Sequence, residues 1–449
     1  MTTAIRGKKG DLPPTSDEGR RQSRRAVIAS TVGTVIEWYD FGLYNIAAGL
    51  VFPSLFFPTF DPLVGALNSF LVFAVGYIAR PVGALVFGHF GDRLGRKGAL
   101  VATTLLMGIG TFIVAVVPTY AEIGLWGAVI LSVLRFLQGM GVGGEWAGSI
   151  LVAMEWGGPR RRGLFASLPQ IGVPMGTLLA NLLFSGASFA AGGAFMSWGW
   201  RIPFALSIFL VVIGVYIRLG IAETPVFRRV AEENRIERLP VLEALRRNYR
   251  EIISVAFLRI SELSVFIVFT ILVFTIGVQT LHLSRDFILM ALLAGLAIEC
   301  VSVPIAGALS DHIGRKRMFM IGAVAAGIYS FIYYAGLGSG STTIIFIVIA
   351  LSLIPHGLQY GSEAALIAES FTARLRYSGS SVGYQLASLL GGGPTPVIAG
   401  ALLIKDQSGY LIACYLAVCS VISVIAAMTL KEGRTRDIAV EYDRVPDKA

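Results

Sequence analysis

The side chains in this 449-residue chain with the most chemistry to offer are ionisable groups set inside long apolar runs. Glu37 and Asp40 stand three residues apart, as do Arg259 and Glu262, and on a helix that spacing puts each pair on one face. Arg80, Arg135, Glu145, Glu299, His356 and Glu363 stand in other apolar stretches. A charge at the centre of a bilayer costs at least about 2.5–3.5 kcal/mol, so each of these must be paired, solvated by a cavity, or functional. A carboxylate that alternately meets and leaves a guanidinium changes its hold on a proton. Asp40, with Glu37 beside it, and Arg135 offer that arrangement; the other reading is a permanent ion pair that fixes helix packing. Arg80, Arg135 and Arg259 carry planar guanidinium groups suited to bidentate recognition of a carboxylate, which makes an organic anion the natural ligand, with a structural role equally open for Arg80. Acidic residues outnumber these arginines, so a zwitterion stays open. His356 reads more readily as a hydrogen-bonded packing residue than as a proton relay. Tyr44, Gln138, Gln170, Tyr360, Tyr384 and Gln385 place polar groups in apolar surroundings, where they bind substrate oxygens or bond neighbouring helices.

The elements that must position these groups follow from composition. Hydrophobic residues make up 55% of the chain and charged residues 14%, against roughly 25% charged in soluble domains. Apolar stretches of about 20 residues, long enough for a hydrocarbon core of about 30 Å, recur twelve times. They lie near 27–52, 64–89, 98–118, 122–150, 163–188, 200–220, 251–279, 287–309, 318–336, 343–366, 378–402 and 410–430. Such long continuous runs are helices rather than barrel strands, so the expected fold class is an all-α membrane protein. Cys300, Cys414 and Cys419 sit in apolar runs without disulfide or zinc spacing.

The cations sort by loop. Of the 37 Lys and Arg residues, 30 fall in the polar tails and alternate connections, whereas the intervening connections hold only Arg285 and Lys405. The positive-inside rule then puts both termini in the cytoplasm and explains the net charge of +9 without nucleic acid. Expected boundaries are a tail over 1–25, six helices over 26–221, a partly helical cytoplasmic linker over 222–250, six helices over 251–430, and a tail over 431–449.

The two halves repeat. GHFGDRLGRKG at 88–98 returns as GALSDHIGRKR at 307–317, and Glu155, Arg160 and Arg162 return as Glu369, Arg374 and Arg376. This pattern resembles the major facilitator superfamily, whose loop between helices two and three carries G-x-x-x-D-R-x-G-R-[KR]. EWYDFGLY at 37–44, RP at 80–81, RFLQGMGVGGE at 135–145 and ETPVF at 223–227 narrow the resemblance to its metabolite:proton symporter family. The resemblance covers about residues 25–432. It implies two pseudo-symmetric six-helix bundles and alternating access, with an acidic residue of helix one facing an arginine of helix four, which maps proton coupling onto Asp40 and Arg135. It also implies that Asp92, Arg96, Glu155 and Arg162, with Asp311, Arg315, Glu369 and Arg376, form networks closing the cytoplasmic side; the alternative is that these charges only set topology.

No nucleophile elbow, metal-ligand cluster or phosphate loop stands out, and the linker and tail leave no room for an output domain, which argues against an enzyme and a receptor. The expectation is a monomeric symporter of the cytoplasmic (inner) membrane, without a cofactor, importing a small organic acid with a proton. Asp40, Glu37 and Arg135 are the proton-coupling candidates. Arg135, Arg259, Glu262, Arg80, Tyr44, Gln138, Gln170, Tyr384 and Gln385 are the substrate-binding candidates. A proton-coupled importer of zwitterionic osmolytes such as proline or betaine, and an uncoupled facilitator, are the alternatives.

Overall fold

The computed structural model describes residues 17–59, 62–158, 160–233, 235, 237–436 and 438. The expected tails therefore lie outside the described residues at 1–16 and 439–449. Twelve long helices follow one another: α1 (Asp17–Leu50), α2 (Pro62–Leu94), α3 (Arg96–Val114), α4 (Trp126–Trp156), α5 (Arg162–Gly199), α6 (Arg201–Leu219), α7 (Tyr249–Val278), α8 (Arg285–Ile313), α9 (Arg315–Leu337), α10 (Thr342–Glu369), α11 (Arg376–Lys405) and α12 (Tyr410–Thr429). Among the described residues, α3 to α12 are long and apolar enough to cross a membrane, and α1 and α2 have the length at 34 and 33 residues. Helix α1 starts about ten residues before the apolar run. Its opening sequence, DEGRRQSRR, is rich in good helix formers.

The first six helices pack together, α2 and α3 against α4 and α1 against α5; the last six repeat the plan, with α8 and α9 against α10. The halves meet where α11 lies on α2 and α5 lies on α8, contacts related by the same pseudo-symmetry as the repeat. Between the halves the chain forms two short amphipathic helices, Pro225–Glu232 and Pro240–Arg247. The first is capped by the Thr224 hydroxyl, which accepts from Phe227 N at 3.3 Å.

The repeated motif has a local explanation. Gly95 and Gly314, its central glycines, have φ of 111° and 105°, which side-chain-bearing residues rarely adopt, and each turns the chain between two helices. A carboxylate from the end of each half then caps the following helix: Glu223 accepts from Lys97 N at 3.2 Å, and Glu432 accepts from Arg315 N at 3.3 Å and Lys316 N at 3.1 Å. The capping pair Glu223 and Glu432 is a further element of the repeat. It escapes a search for matching motifs because the words around the two residues differ.

Candidate functional site

A narrow cavity lies between the halves, about 580 Å³ including its mouth. The first half contributes Trp38 and Phe41 from α1, Tyr77 and Arg80 from α2 and Val173 from α5. The second half contributes Arg259, Glu262 and Phe266 from α7, His356 and Tyr360 from α10, and Tyr384 and Ser388 from α11. Of the expected substrate-binding residues, the cavity wall holds Arg80, Arg259, Glu262 and Tyr384.

Glycines set the position of Arg80. On α4, Gly139 meets the Gly76 backbone of α2 and Met140 meets Gly83, and a Cβ on Gly143 would fall on the Arg80 carbonyl. The Arg80 guanidinium lies over the rings of Tyr77 (4.5 Å) and Phe41 (4.9 Å). Among the described residues no carboxylate lies within ion-pairing distance of it.

Arg259 is committed elsewhere. It donates from Nη2 to Glu262 Oε2 at 2.8 Å, from Nε to Glu363 Oε1 at 3.1 Å and from Nη1 to the Tyr384 carbonyl at 3.1 Å, with its guanidinium 3.4 Å from the centre of the Tyr384 ring. The Tyr384 ring in turn stacks on Trp146 of the first half at 3.7 Å. The second Glu262 oxygen is 3.0 Å from His356 Nε2, and His356 Nδ1 is 2.6 Å from Glu299 Oε1. His356, expected to be a packing residue, thus sits on the cavity wall between two carboxylates.

Five expected substrate ligands do not line this cavity. Arg135 stacks on Phe41 (5.1 Å) and Tyr44 (4.6 Å), which keeps both Arg135 and Tyr44 behind the aromatic wall. Gln138 turns toward α3 and donates to the Thr111 hydroxyl at 2.7 Å. Gln170 ties the halves together, accepting from Trp146 Nε1 at 2.9 Å and donating to the Tyr360 carbonyl at 3.3 Å. Gln385 accepts from Ser388 on its own helix at 3.3 Å. The three glutamines share a physical reason: in an apolar helix a side-chain amide is drawn to the nearest polar partner.

Asp40 is buried behind the same wall, beside the Thr111 hydroxyl and the Arg135 guanidinium. Glu37, one turn away, is also buried, within electrostatic reach of Arg80 and Arg218. Arg218 of α6 was absent from the sequence reading. It forms a fully buried ion pair with Glu145, whose other contacts are the Thr103 hydroxyl at 2.6 Å and the Ser149 hydroxyl at 3.0 Å. Glu145 thereby has a structural partner.

At the end carrying the basic loops the halves are locked. Asp92 accepts from Tyr377 N (3.2 Å) and Ser378 N (2.8 Å) at the start of α11, and Asp311 accepts from Gly163 N (2.9 Å) and Leu164 N (3.0 Å) at the start of α5. Each carboxylate sits on the N-terminus of a helix from the other half, where the dipole favours negative charge. Arg162 reaches Glu369 at 3.2 Å and Arg376 reaches Glu155 at 3.4 Å, both across the interface. Within each half Arg96 pairs with Glu155, and Arg315 pairs with Asp311 (2.7 Å) and Glu369 (3.4 Å). All eight residues expected at the gate meet here, in two clusters related by the repeat.

The family models agree with this architecture. The model described as "Sugar (and other) transporter" matches residues 25–250, and that of the "Major Facilitator Superfamily" matches residues 260–441. This chain belongs to the major facilitator superfamily. Among curated members, it is 38% identical to the inner membrane metabolite transport protein YhjE of Escherichia coli (strain K12), over 92% of this chain and 95% of that one. It is 37% identical to the shikimate transporter of the same organism, over 93% and 97%, and 28% identical to its proline/betaine transporter, over 94% and 86%. The fold is that of the superfamily's solved members: a proton:xylose symporter, XylE, bound to 6-bromo-6-deoxy-D-glucose superposes with a TM-score of 0.75 at 16% identity, covering 94% of this chain and 98% of the other. As a superfamily member with transporters for relatives, the protein is a metabolite transporter and not an enzyme.

Proposed function

We propose that this transporter is a proton-coupled symporter that imports a small organic acid into the cytoplasm, acting as a monomer in the inner membrane with both termini cytoplasmic. The observation that carries the substrate class is Arg80. It is a guanidinium on the cavity wall, held by aromatic faces rather than by a carboxylate, while Arg259 opposite is already engaged by Glu262 and Glu363. A substrate carboxylate completes the charge balance of Arg80 and its hydrogen bonding at once. The similarity to a shikimate transporter supports the same class.

Proton coupling is assigned to Asp40, with Glu37 as its neighbour and Arg135 as its switching partner. Asp40 is buried beside Arg135, so a bound proton and the guanidinium are alternative ways to neutralise its carboxylate. The eight-residue junction is the cytoplasmic gate, closed in this structure and released when the halves rock apart. No cofactor takes part; the proton is the coupling ion.

Uptake of radiolabelled shikimate, 2-oxoglutarate, citrate, benzoate, proline and betaine into proteoliposomes, with and without an inward proton gradient, tests the proposal. Gradient-driven accumulation of one carboxylate is expected. Asp40→Asn should abolish accumulation while leaving exchange, and Arg80→Gln should reduce carboxylate uptake at least about tenfold, the loss of one charge-assisted contact of roughly 1.5–3 kcal/mol. Uptake that ignores the gradient means a facilitator. Accumulation of proline or betaine alone favours the osmolyte reading, which Glu262 on the cavity wall and the 28% identical relative support.

A further inference from the structure

The hydrogen bonds around His356 carry a count of protons. Its two ring nitrogens are each within hydrogen-bond distance of a carboxylate, Glu299 at 2.6 Å and Glu262 at 3.0 Å. A neutral imidazole has one N–H, and an ionised carboxylate can only accept. Both bonds can therefore form only if the ring is doubly protonated or if one carboxyl carries a proton. Either way the triad holds one proton more than a neutral histidine between two carboxylates, and losing it breaks one of the two bonds.

We propose that Glu299, His356 and Glu262 form a proton-binding site in the second half, separate from Asp40 and loaded from the central cavity through Glu262. The inference deepens the symporter reading and rests on it for its role in transport. Glu299 is fully buried and forms the inner end, while Glu262 lines the cavity. A proton entering from cavity water meets the Glu262 carboxylate first, passes to His356 Nε2, and is matched at Nδ1 by the bond to Glu299.

The surroundings make the charge state matter. On α7, Arg259 faces Glu262; on α10, Glu363 bonds Arg259, and Tyr360 stacks on His356 at 5.2 Å. Tyr384 of α11 lies under Arg259, and across the cavity α2 presents Tyr77 and Arg80. With the extra proton bound, on ring or carboxyl, Glu262, Glu299, Glu363, Arg259 and His356 together carry one net negative charge. Without it, the same buried cluster carries a further negative charge, which low-dielectric surroundings oppose unless water or a substrate cation enters. Asp40 belongs to the other half and makes no hydrogen bond to any member of the triad.

The test uses the full-length protein in liposomes, with His89, His282 and His312 replaced by Gln so that isotope-labelled His356 alone reports in infrared difference spectra between acid and alkaline pH. Labelled-ring bands that change reversibly with pH are expected. Glu299→Gln should displace their midpoint by at least about one pH unit, tenfold in proton affinity, and Asp40→Asn should leave the midpoint in place. Ring bands that stay constant from about pH 5 to about pH 10 overturn the proposal, as does a midpoint that Glu299→Gln leaves unmoved. Loss of the signal in Asp40→Asn overturns the separateness of the two sites. Since the readout needs no substrate, gradient-independent uptake would reject symport while leaving this site standing.

Discussion

Arg80 and Arg259 carry the same group on facing walls of one cavity, and their surroundings give them different work. Two carboxylates and a carbonyl hold Arg259 in place, whereas the guanidinium of Arg80 lies over two rings with Glu37 only within electrostatic reach. Sequence spacing could place Arg259 and Glu262 on one face, but Glu363 comes from a helix 104 residues away, so the neutralisation of Arg259 was not legible. The Glu299–His356–Glu262 chain was hidden for the same reason: its members come from three helices and only packing joins them. Arg218 shows a different limit. It sits one residue from the end of α6, where a cation looks like a topology signal, yet it turns inward and is fully buried on Glu145. That pair yields a stability prediction. Removing one partner leaves an uncompensated buried charge, so Arg218→Gln should cost about 3–5 kcal/mol, seen as a lowered thermal midpoint in detergent. The double variant Arg218→Met, Glu145→Leu should recover most of the loss; no recovery would mean the charges themselves are required.

At the scale of elements, the helices and their repeat were readable because each rests on local pattern: apolar length, alternating basic loops, and a motif repeated at a fixed interval. The motif's glycine has a physical reason that the sequence only hints at. Gly95 and Gly314 combine a positive φ with a neighbouring cap, and a Cβ on Gly314 would lie 2.9 Å from Glu432 Oε2. Gly314→Ala is therefore expected to strain the turn by about 1–3 kcal/mol and to loosen the cap of α9 as well. Hydrogen exchange should show faster exchange at Arg315 and Lys316 than in the wild type, with α12 unaffected at its far end. Unchanged exchange at those two amides would separate the glycine from the cap. The partners of Gln138, Gln170 and Gln385 were not legible at this scale either, since nothing in an apolar helix says which neighbour a glutamine will bond.

For the whole molecule, the proposed gate consists of contacts between the halves at the basic-loop end. Asp92 and Asp311 each bridge to a helix start in the other half, and the chain after α12 adds a second layer. Arg162 donates to the carbonyls of Arg434 (3.2 Å) and Arg436 (2.7 Å), and Arg376 donates to the carbonyl of Ile438 (2.8 Å). The Ile438 side chain packs against Val226 and Val230 of the linker helix and Ala373 of the second half. Arg162 and Arg376 are thus both tied to the segment after α12, which reaches the linker. Hydrogen bonds to a charged donor are worth about 1.5–3 kcal/mol each where they are buried, and a shift of 1.4 kcal/mol changes a two-state ratio tenfold. Removing residues 433–449 should therefore move the population toward the state open at this end. Spin labels placed on the first and second halves near Arg93 and Arg317 should report a longer distance in the shortened chain, and Asp92→Asn with Asp311→Asn should add to the shift. If truncation leaves the distance distribution unchanged while the double aspartate variant lengthens it, the segment after α12 follows the gate and the two helix-capping aspartates alone hold it shut.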